Sequence, residues 1–222
     1  MNLLITGANR GIGLELARIA RVRGHAVIGA CRKPADAGEL KATGARVVTL
    51  DVTSEASIKA LGAELKDEAL DALINNAGVS SDAKNLKDLT AAELARVFQV
   101  NAFAPLLVTA ALLEALRRGQ RKTIVHITSQ LGSIANNTGG SSYPYRASKS
   151  ALNQLNRSLA AELKGEFTCL AVHPGWVQTD MGGQQAPMTP AQSAEHIFKI
   201  IESARPEQSG AFLNYDGATL PW

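Results

Sequence analysis

Short apolar runs alternate along the chain with longer segments in which apolar residues recur at the spacing of a helix. The short runs predict strands at residues 2–6, 25–30, 45–50, 69–75, 122–128, 168–173 and 210–214. The longer segments predict helices at residues 11–22, 54–65, 90–100 continuing into 102–118, 145–164 and 190–204. Strands that alternate with helices indicate βαβ units, which build a parallel sheet.

The predicted strands are apolar at nearly every position, as in residues 69–74. Such strands are typical of a sheet that is covered on both faces. No internal repeat, low-complexity tract or linker-like stretch divides the chain. We therefore predict one doubly wound, Rossmann-type α/β domain over residues 1–222, with a seven-stranded parallel sheet flanked by helices on both faces.

The predicted helix at residues 102–118 is apolar on almost every side, so it has to be buried all round. One of its faces is expected on the sheet and another on a second subunit. The predicted helix at residues 145–164 has a face of small residues, which suits a close neighbour. We therefore expect a homodimer or homotetramer formed through helices 102–118 and 145–164.

Composition narrows the classes of partner. Of the 222 residues, 45% are hydrophobic and 19% charged, which is ordinary for a globular protein with a sizeable core. With 23 basic and 20 acidic residues the net charge is +3, too balanced to indicate binding of nucleic acid. Cys31 and Cys169 lie in apolar segments, so we expect reduced thiols, and no side chains have the spacing of a metal site.

The chain leads directly from Met1 into an apolar strand, without the basic and apolar regions of a leader peptide. No apolar stretch is expected to approach the roughly 18 residues that span a membrane. These features predict a cytoplasmic protein without a membrane partner.

A glycine-rich turn follows the first predicted strand, at residues 6–13, and opens a helix. In a dinucleotide site, Gly7 would permit the tight turn, Gly11 would let the backbone approach a pyrophosphate, and Gly13 would let the helix pack closely. The helix N-terminus then offers N–H groups to phosphate. The spacing is G-x-x-x-G-x-G, not the common G-x-G-x-x-G, and no Walker lysine follows. A plain glycine turn is the alternative, although its place at the first βα junction favours phosphate binding.

Two cations, Arg32 and Lys33, follow the second predicted strand, and Arg10 in the glycine turn adds a third. An acidic residue near this point binds the ribose of NAD, whereas an arginine accommodates the 2′-phosphate of NADP. The acidic residue is missing here, which favours NADP(H) as the cofactor. NAD(H) stays open as an alternative, as does an ordinary solvated basic loop.

Tyr145 is the only tyrosine with a lysine four residues later, at Lys149. Four residues are about one helical turn, so both side chains lie on one face. A nearby ammonium lowers the pKa of a phenol, which suits a phenol that acts as an acid or base near neutral pH. The alternative is an ordinary surface pair on a helix.

These motifs and several others, taken in order, resemble the short-chain dehydrogenase/reductase superfamily from Met1 to about Met181. The matching motifs are residues 6–13, Leu50-Asp51-Val52, Asn75-Asn76-Ala77-Gly78, Asn101, Thr128-Ser129, Tyr145-x-x-x-Lys149 and Pro174-Gly175-Trp176-Val177-Gln178-Thr179. The short length, the segment Tyr143-Pro144-Tyr145-Arg146 and the ending Tyr215-Asp216-Gly217 to Pro221-Trp222 are most similar to the C-factor/sniffer-like carbonyl reductase branch.

The resemblance implies four catalytic residues. Tyr145 would exchange a proton with the substrate oxygen, and Ser129 would hydrogen-bond the same oxygen. Lys149 would hold the nicotinamide ribose and lower the pKa of Tyr145. Asn101 would interrupt its helix and hold a water that links Lys149 to solvent. The implied cofactor-binding residues are Gly7, Asn9, Arg10, Gly11, Ile12, Gly13, Arg32, Asp51, Val52, Asn76, Ala77, Gly78, Tyr145, Lys149, Pro174, Gly175, Val177 and Thr179.

Some of these assignments have rivals. The family usually has fewer residues between the serine and the tyrosine, so Ser133 and Ser141 compete with Ser129 on distance alone; Ser129 is favoured because it directly follows a strand. Residues 51–54 would also serve as an ordinary helix cap. Residues 75–78 would also serve as an ordinary turn.

The segment after Thr179 is short and contains glycine at residues 180–188. Fuller family members place more helix there, so we predict an open substrate pocket and a mobile flap at 180–188 that orders when cofactor binds. His126 and His173 lie in predicted strands and are expected as packed core histidines.

The resulting hypothesis is an NADPH-dependent oxidoreductase that reduces a small-molecule ketone or aldehyde to an alcohol by hydride transfer. The alternative is an NAD(P)-binding signalling or regulatory protein of C-factor type, with little or no turnover.

Overall fold

The computed structural model describes residues 1–222, and its seven strands form one parallel sheet in the order β3-β2-β1-β4-β5-β6-β7. The strands are β1 Asn2–Thr6, β2 Ala26–Cys31, β3 Arg46–Thr49, β4 Ala72–Asn75, β5 Thr123–Ile127, β6 Thr168–His173 and β7 Phe212–Asn214. The predicted seven-stranded parallel sheet is confirmed. Its strand order reverses between β1 and β4, and ligands bind such sheets in the crevice at that point, beyond the carboxyl ends of the strands.

Seven α-helices connect the strands. They are α1 Gly11–Val22, α2 Gly38–Ala42, α3 Glu55–Glu64, α4 Ala91–Phe98, α5 Ala104–Arg118, α6 Tyr143–Glu162 and α7 Pro190–Ser203. Helix α2 is not predicted by the sequence pattern, because its five residues are too few to display a helical period. The predicted fourth strand also begins three residues early, because Leu70 donates its N–H to the Ala115 carbonyl of α5 and not to a neighbouring strand.

The core consists of two apolar clusters, one on each face of the sheet. Leu3 and Ile5 of β1 belong to the cluster formed with α1 and α7, whereas Leu4 belongs to the cluster formed with α3, α5 and α6. Successive strand residues point to opposite faces, so this alternation follows from the pleat. Leu3, Leu4 and Ile5 are all fully buried. The predicted helices on both faces are therefore confirmed.

Helices α4 and α5 are joined by a π-helical segment, Gln99–Phe103, into one helix that runs from Ala91 to Arg118. This helix has 28 residues and a mean hydropathy of 1.5, enough in length and composition to cross a membrane. The expectation that no stretch approaches that length is therefore wrong, because the chain continues as a helix through Asn101. Half of the apolar window is buried against the sheet and neighbouring helices, which is typical of a core helix.

The all-round burial expected of residues 102–118 is only partly present within one chain. Val108, Leu112 and Leu116 are buried on the sheet side. Phe103 and Leu107 are 48% and 40% exposed. The helix therefore keeps an exposed apolar edge on its outer side.

Candidate active site

A cavity of about 390 Å³ opens at the carboxyl edge of the sheet. Its walls come from the start of α1, the loops after β4 and β5, the first turn of α6 and the segment after β6. The structure brings several predicted site residues together as lining residues, namely Ile12, Ser129, Tyr145, Pro174, Gly175, Val177 and Thr179. Arg32, Asp51 and Val52 do not line this cavity; they lie at the ends of β2 and β3, further along the same edge of the sheet.

The glycine turn has the backbone that its sequence requires. Gly7 and Gly11 have φ values of +63° and +55°, in the left-handed region that favours glycine. A Cβ atom on Gly13 would lie 2.4 Å from the Gly7 carbonyl oxygen and 2.5 Å from Asn76 Nδ2. Gly11 has more room, with Thr179 Cγ2 as its nearest neighbour at 3.5 Å. The turn therefore packs tightly on its inner side and is open on the cavity side.

The segment after β4 is bonded to this turn. Asn76 Nδ2 donates to the carbonyl oxygens of Thr6 at 2.9 Å and Gly7 at 3.1 Å. The backbone N–H groups of Asn76 and Ala77 both donate to Thr6 Oγ1 at 3.0 Å. Residues 75–78 are thus more than an ordinary turn, because their hydrogen bonds to Thr6 and Gly7 connect the end of β4 to the end of β1.

Residues 51–54, after β3, were predicted either to bind cofactor through Asp51 and Val52 or to cap the next helix. The structure assigns the cap to a different residue from Asp51. Ser54 is the N-cap of α3 and accepts from the Ser57 N–H. The Asp51 carboxylate instead accepts from the Thr53 hydroxyl at 2.7 Å and the Thr53 N–H at 2.9 Å. These two bonds, with a smaller contribution from Arg32, lower the pKa of Asp51. Arg32 is exposed and makes no ion pair.

Arg10 has a partner that the sequence did not indicate. This residue precedes α1 and forms an ion pair with Asp180, in the segment that follows Thr179. Both side chains are largely exposed, so the pair contributes little to stability. Asn9, beside Arg10, is also exposed. Of the three predicted phosphate-binding cations, Arg10 is therefore the one already paired within the chain.

Lys149 is buried in α6, and its Nζ donates to the Ile127 carbonyl oxygen at 2.8 Å. Burial lowers the pKa of Lys149 to about 8. Burial also raises the pKa of the Tyr145 phenol, and the Ser129 hydroxyl only opposes that rise. The net pKa of Tyr145 is therefore raised, with burial and the Ser129 hydroxyl as its two causes. The expected lowering of this pKa by Lys149 stays a prediction.

The structure distinguishes the three candidate serines. Ser129 follows β5, accepts from the Leu131 N–H at 3.1 Å and lines the cavity with Tyr145. Ser133 lies outside the cavity and donates to the Trp222 carbonyl oxygen at 3.4 Å. Ser141 is exposed and also lies outside the cavity. The geometry therefore favours Ser129 as the serine that shares a substrate oxygen with Tyr145.

Asn101 is fully buried in the π-helical segment. Its Oδ1 accepts from the Val79 N–H at 2.9 Å, and its Nδ2 donates to the Val79 carbonyl at 2.9 Å and to Ser148 Oγ at 3.1 Å. A Cβ on Gly78 would lie 3.4 Å from Asn101 Oδ1 and 3.7 Å from Lys149 Nζ. Asn101 thus ties the loop after β4 to α6 beside Lys149. The water relay stays a prediction.

The two histidines differ. His126 is a packed core histidine as predicted: its Nδ1 lies 3.2 Å from Asn75 Nδ2, and burial lowers its pKa to about 3. His173 is also buried, but it lines the cavity and its Nδ1 has no hydrogen-bond partner. Burial lowers the pKa of His173 to about 4, so it is neutral at neutral pH. The cavity position of His173 was not predicted, although its place at the carboxyl end of β6 was the available signal.

The flap at residues 180–188 is fastened near both ends. The Gln178 N–H donates to the Met188 carbonyl at 2.8 Å, and Gln178 Nε2 donates to the Ala186 carbonyl at 2.9 Å. Trp176 Nε1 donates to the Gly182 carbonyl at 2.8 Å. Its ordering by cofactor stays a prediction.

These residues fit a nicotinamide dinucleotide. The first N–H groups of α1, on Gly11 and Ile12, have no acceptor in the chain and lie beside the open side of the glycine turn. Free N–H groups at a helix N-terminus suit a phosphate. No group of three or more metal-ligating side chains occurs in the chain.

Comparisons with known proteins agree with this arrangement. A family model described as short chain dehydrogenase matches residues 1–189. The C-signal protein of Myxococcus xanthus is 46% identical over 154 residues, which are 69% of this chain and 93% of the relative. The 1-hydroxy-2-glutathionyl-2-methyl-3-butene dehydrogenase of Rhodococcus sp. (strain AD45) is 36% identical over an alignment of 228 positions that covers 99% of each chain.

Solved structures are similar over the full length. The carbonyl reductase Sniffer of D. melanogaster has a TM-score of 0.92 at 33% identity, covering 100% of this chain and 99% of the other. The NADPH-bound carbonyl reductase from chicken fatty liver has a TM-score of 0.91 at 34% identity, covering 100% of this chain and 98% of the other.

Proposed function

Because this chain belongs to the short-chain dehydrogenase/reductase superfamily, in its C-factor/sniffer-like branch, we propose that it is an NADP(H)-preferring carbonyl reductase. Its substrate is a ketone or aldehyde, which it reduces to an alcohol. The observation that supports this reaction most directly is that Tyr145 and Ser129 line one cavity, with Lys149 buried behind them.

When bound, the nicotinamide cofactor supplies the hydride for the carbonyl carbon. Tyr145 gives its phenolic proton to the carbonyl oxygen as negative charge develops there. The raised pKa of Tyr145 keeps the phenol protonated at neutral pH, which is the form that a proton donor needs. Ser129 donates a hydrogen bond to the same oxygen and fixes its position.

Lys149 restores the site after proton transfer. Its ammonium lies 5.9 Å from the centre of the Tyr145 ring and stabilises the phenolate that forms. A pKa of about 8 leaves Lys149 charged at neutral pH and still able to release a proton. Asn101 holds the neighbouring loop against α6, so that Lys149 keeps its place.

NADP(H) is the preferred cofactor in this proposal. Arg32 is exposed and unpaired at the end of β2, where an arginine accommodates a 2′-phosphate. The chicken carbonyl reductase was solved with NADPH bound, and a carbonyl reductase from Pseudomonas aeruginosa PAO1, 34% identical, was solved with NADP. NAD(H) is the alternative. The glycine turn, residues 76–78 and residues 174–179 hold the rest of the dinucleotide.

The test is consumption of NADPH with a panel of aldehydes, ketones and diketones. Tyr145→Phe removes the proton donor and should lower kcat by about 10²- to 10⁴-fold. Tyr143→Phe, on the same helix but outside the cavity, is the matched control and should leave turnover unchanged. Undiminished turnover in Tyr145→Phe would remove this mechanism.

A second candidate function is signalling or regulation through a bound dinucleotide. Its support is the 46% identity to the C-signal protein. Tyr145 and Lys149 are both present here, which favours catalysis. If Tyr145→Phe and Lys149→Ala abolish turnover while a phenotype of the gene persists, binding and not catalysis is the function. A cytoplasmic location and a homo-oligomer complete the proposal.

A further inference from the structure

The charge at the mouth of the cavity comes from one residue. Lys84 is the only lining residue that is formally charged, and no aspartate or glutamate lines the cavity. The other titratable lining groups are His173 and Tyr145, which are neutral at neutral pH. Asp180 adjoins the lining residues Thr179 and Met181 but is already paired with Arg10. The cavity therefore presents a net positive potential at its mouth.

The Lys84 side chain is free to contact a ligand. It is exposed and makes no ion pair with any carboxylate of the chain. Its backbone carbonyl accepts from the Ser142 N–H at 2.8 Å, next to the start of α6. This bond ties the Lys84 backbone to the helix that carries Tyr145.

The same loop is fastened close to Lys84 on its N-terminal side. Ala83 is buried, and its N–H donates to the buried Ser81 hydroxyl at 3.2 Å. Arg96 Nη2 donates to the Ser80 carbonyl at 2.9 Å. Neither bond uses the Lys84 side chain, so its ammonium stays available to a ligand.

An apolar wall lies elsewhere on the same rim. Trp176 and Met181 line the cavity and are 54% and 44% exposed, so both present apolar surface to solvent beside it. The Trp176 indole is oriented by its hydrogen bond to the Gly182 carbonyl. Exposed apolar surface beside a cavity marks a place that a ligand covers.

We infer that the carbonyl substrate is an amphipathic anion, with a carboxylate or similar group on Lys84 and an apolar body against Trp176 and Met181. Its carbonyl then reaches Tyr145 and Ser129. This inference rests on the proposed reductase function and narrows it to a substrate class. Because Lys84 contacts the substrate away from the reacting atoms, it acts mainly on KM and not on kcat.

The experiment compares aldehyde acids of increasing length, beginning with para-formylbenzoate, each beside its methyl ester as the neutral twin. The wild type should prefer the acid of the best-fitting pair by about tenfold in kcat/KM. Lys84→Ala should abolish that preference, Lys84→Glu should reverse it, and Lys84→Arg should retain it. Lys87→Ala is the matched control, since Lys87 is exposed in the same loop but outside the cavity.

The outcomes separate this inference from the proposed function. Circular dichroism and NADPH titration of Lys84→Ala show whether the variant is folded and loaded with cofactor, so that its acid-to-ester ratio can be compared with that of wild type. An acid-to-ester ratio that is equal in wild type and Lys84→Ala overturns the inference and leaves the reductase intact. If the wild type binds NADPH, as detected by fluorescence, but reduces no acid or ester, both the substrate inference and the proposed reductase function are overturned.

Discussion

Lys149 Nζ lies 2.8 Å from the Ile127 carbonyl oxygen and has no carboxylate partner anywhere in the chain. A buried ammonium that is compensated by one carbonyl costs free energy, because burial disfavours its charged form. This cost is what lowers the pKa of Lys149 from 10.5 to about 8. Lys149 is therefore a local source of instability that other contacts offset.

The first prediction concerns the pH dependence of this cost. Between about pH 8 and 10.5 the unfolded chain holds the Lys149 proton and the folded chain does not, so stability rises with pH in that window. Wild type should gain about 3 kcal/mol over Lys149→Met across the window. Titrating groups that do not interact with Lys149 are common to both proteins and cancel in the difference.

Denaturant unfolding of both proteins at a series of pH values measures this difference. Loss of the bond to Ile127 shifts the variant by a constant amount, so only the slope is diagnostic. Lys164→Met, an exposed lysine just beyond the end of α6, should give a flat difference. Parallel curves for wild type and Lys149→Met would show that Lys149 is not titrating abnormally.

The second prediction concerns the inner side of the glycine turn. Gly13→Ala places a methyl group 2.4 Å from the Gly7 carbonyl oxygen, and backbone has to move to admit it. We expect a loss of stability of about 1–3 kcal/mol and a larger proportional loss of NADPH affinity. Gly38→Ala is the control, because its added methyl group meets nothing within 4 Å. Unfolding curves and NADPH titrations check both effects.

Equal NADPH affinity in wild type and Gly13→Ala would mean that the turn does not contribute to the cofactor site. The control variant should match wild type in both measurements. A loss shared by Gly38→Ala would indicate a general effect of the added methyl group and not a role of the turn.

Much of the fold was predictable because its signals are local. Alternating strands and helices indicated the sheet and its covered faces, and Gly7 and Gly11 are the residue type that their left-handed backbone favours. The pair Tyr145 and Lys149 was predictable from one helical turn. The direction of the Tyr145 pKa was not, because it depends on desolvation by residues that are distant in sequence.

The other features that were not predicted also depend on how the chain folds, which a local sequence pattern does not record. Arg10 and Asp180 are 170 residues apart, so no local pattern pairs them. His173 was assigned to the core because strand periodicity does not distinguish the last residue of a strand, which reaches the cavity, from those before it. Lys84 lies in a loop, where no periodic pattern indicates which side chains line the cavity.

The third prediction tests the cofactor preference. Arg32→Asp places a negative charge where a 2′-phosphate would bind, so NADPH affinity should fall by about 10- to 100-fold while NADH affinity stays the same or improves. Arg10→Ala should lower NADPH affinity by less than Arg32→Asp does, because Arg10 is already paired with Asp180. Titrations with both cofactors provide the comparison, and an equal loss for the two in Arg32→Asp would contradict the assignment of Arg32.

The last prediction concerns the exposed apolar edge of the helix that runs through Asn101. Phe103 and Leu107 are 48% and 40% exposed and lie one helical turn apart, so they form one patch that a second subunit would cover. The double variant Phe103→Glu, Leu107→Glu should shift the protein to a smaller species in sedimentation at equal concentration. Val22→Glu is the control, because Val22 is 88% exposed at the end of a different helix and should leave the assembly unchanged. An unchanged sedimentation coefficient in the double variant, with its fold intact by circular dichroism, would show that subunits do not meet through this edge.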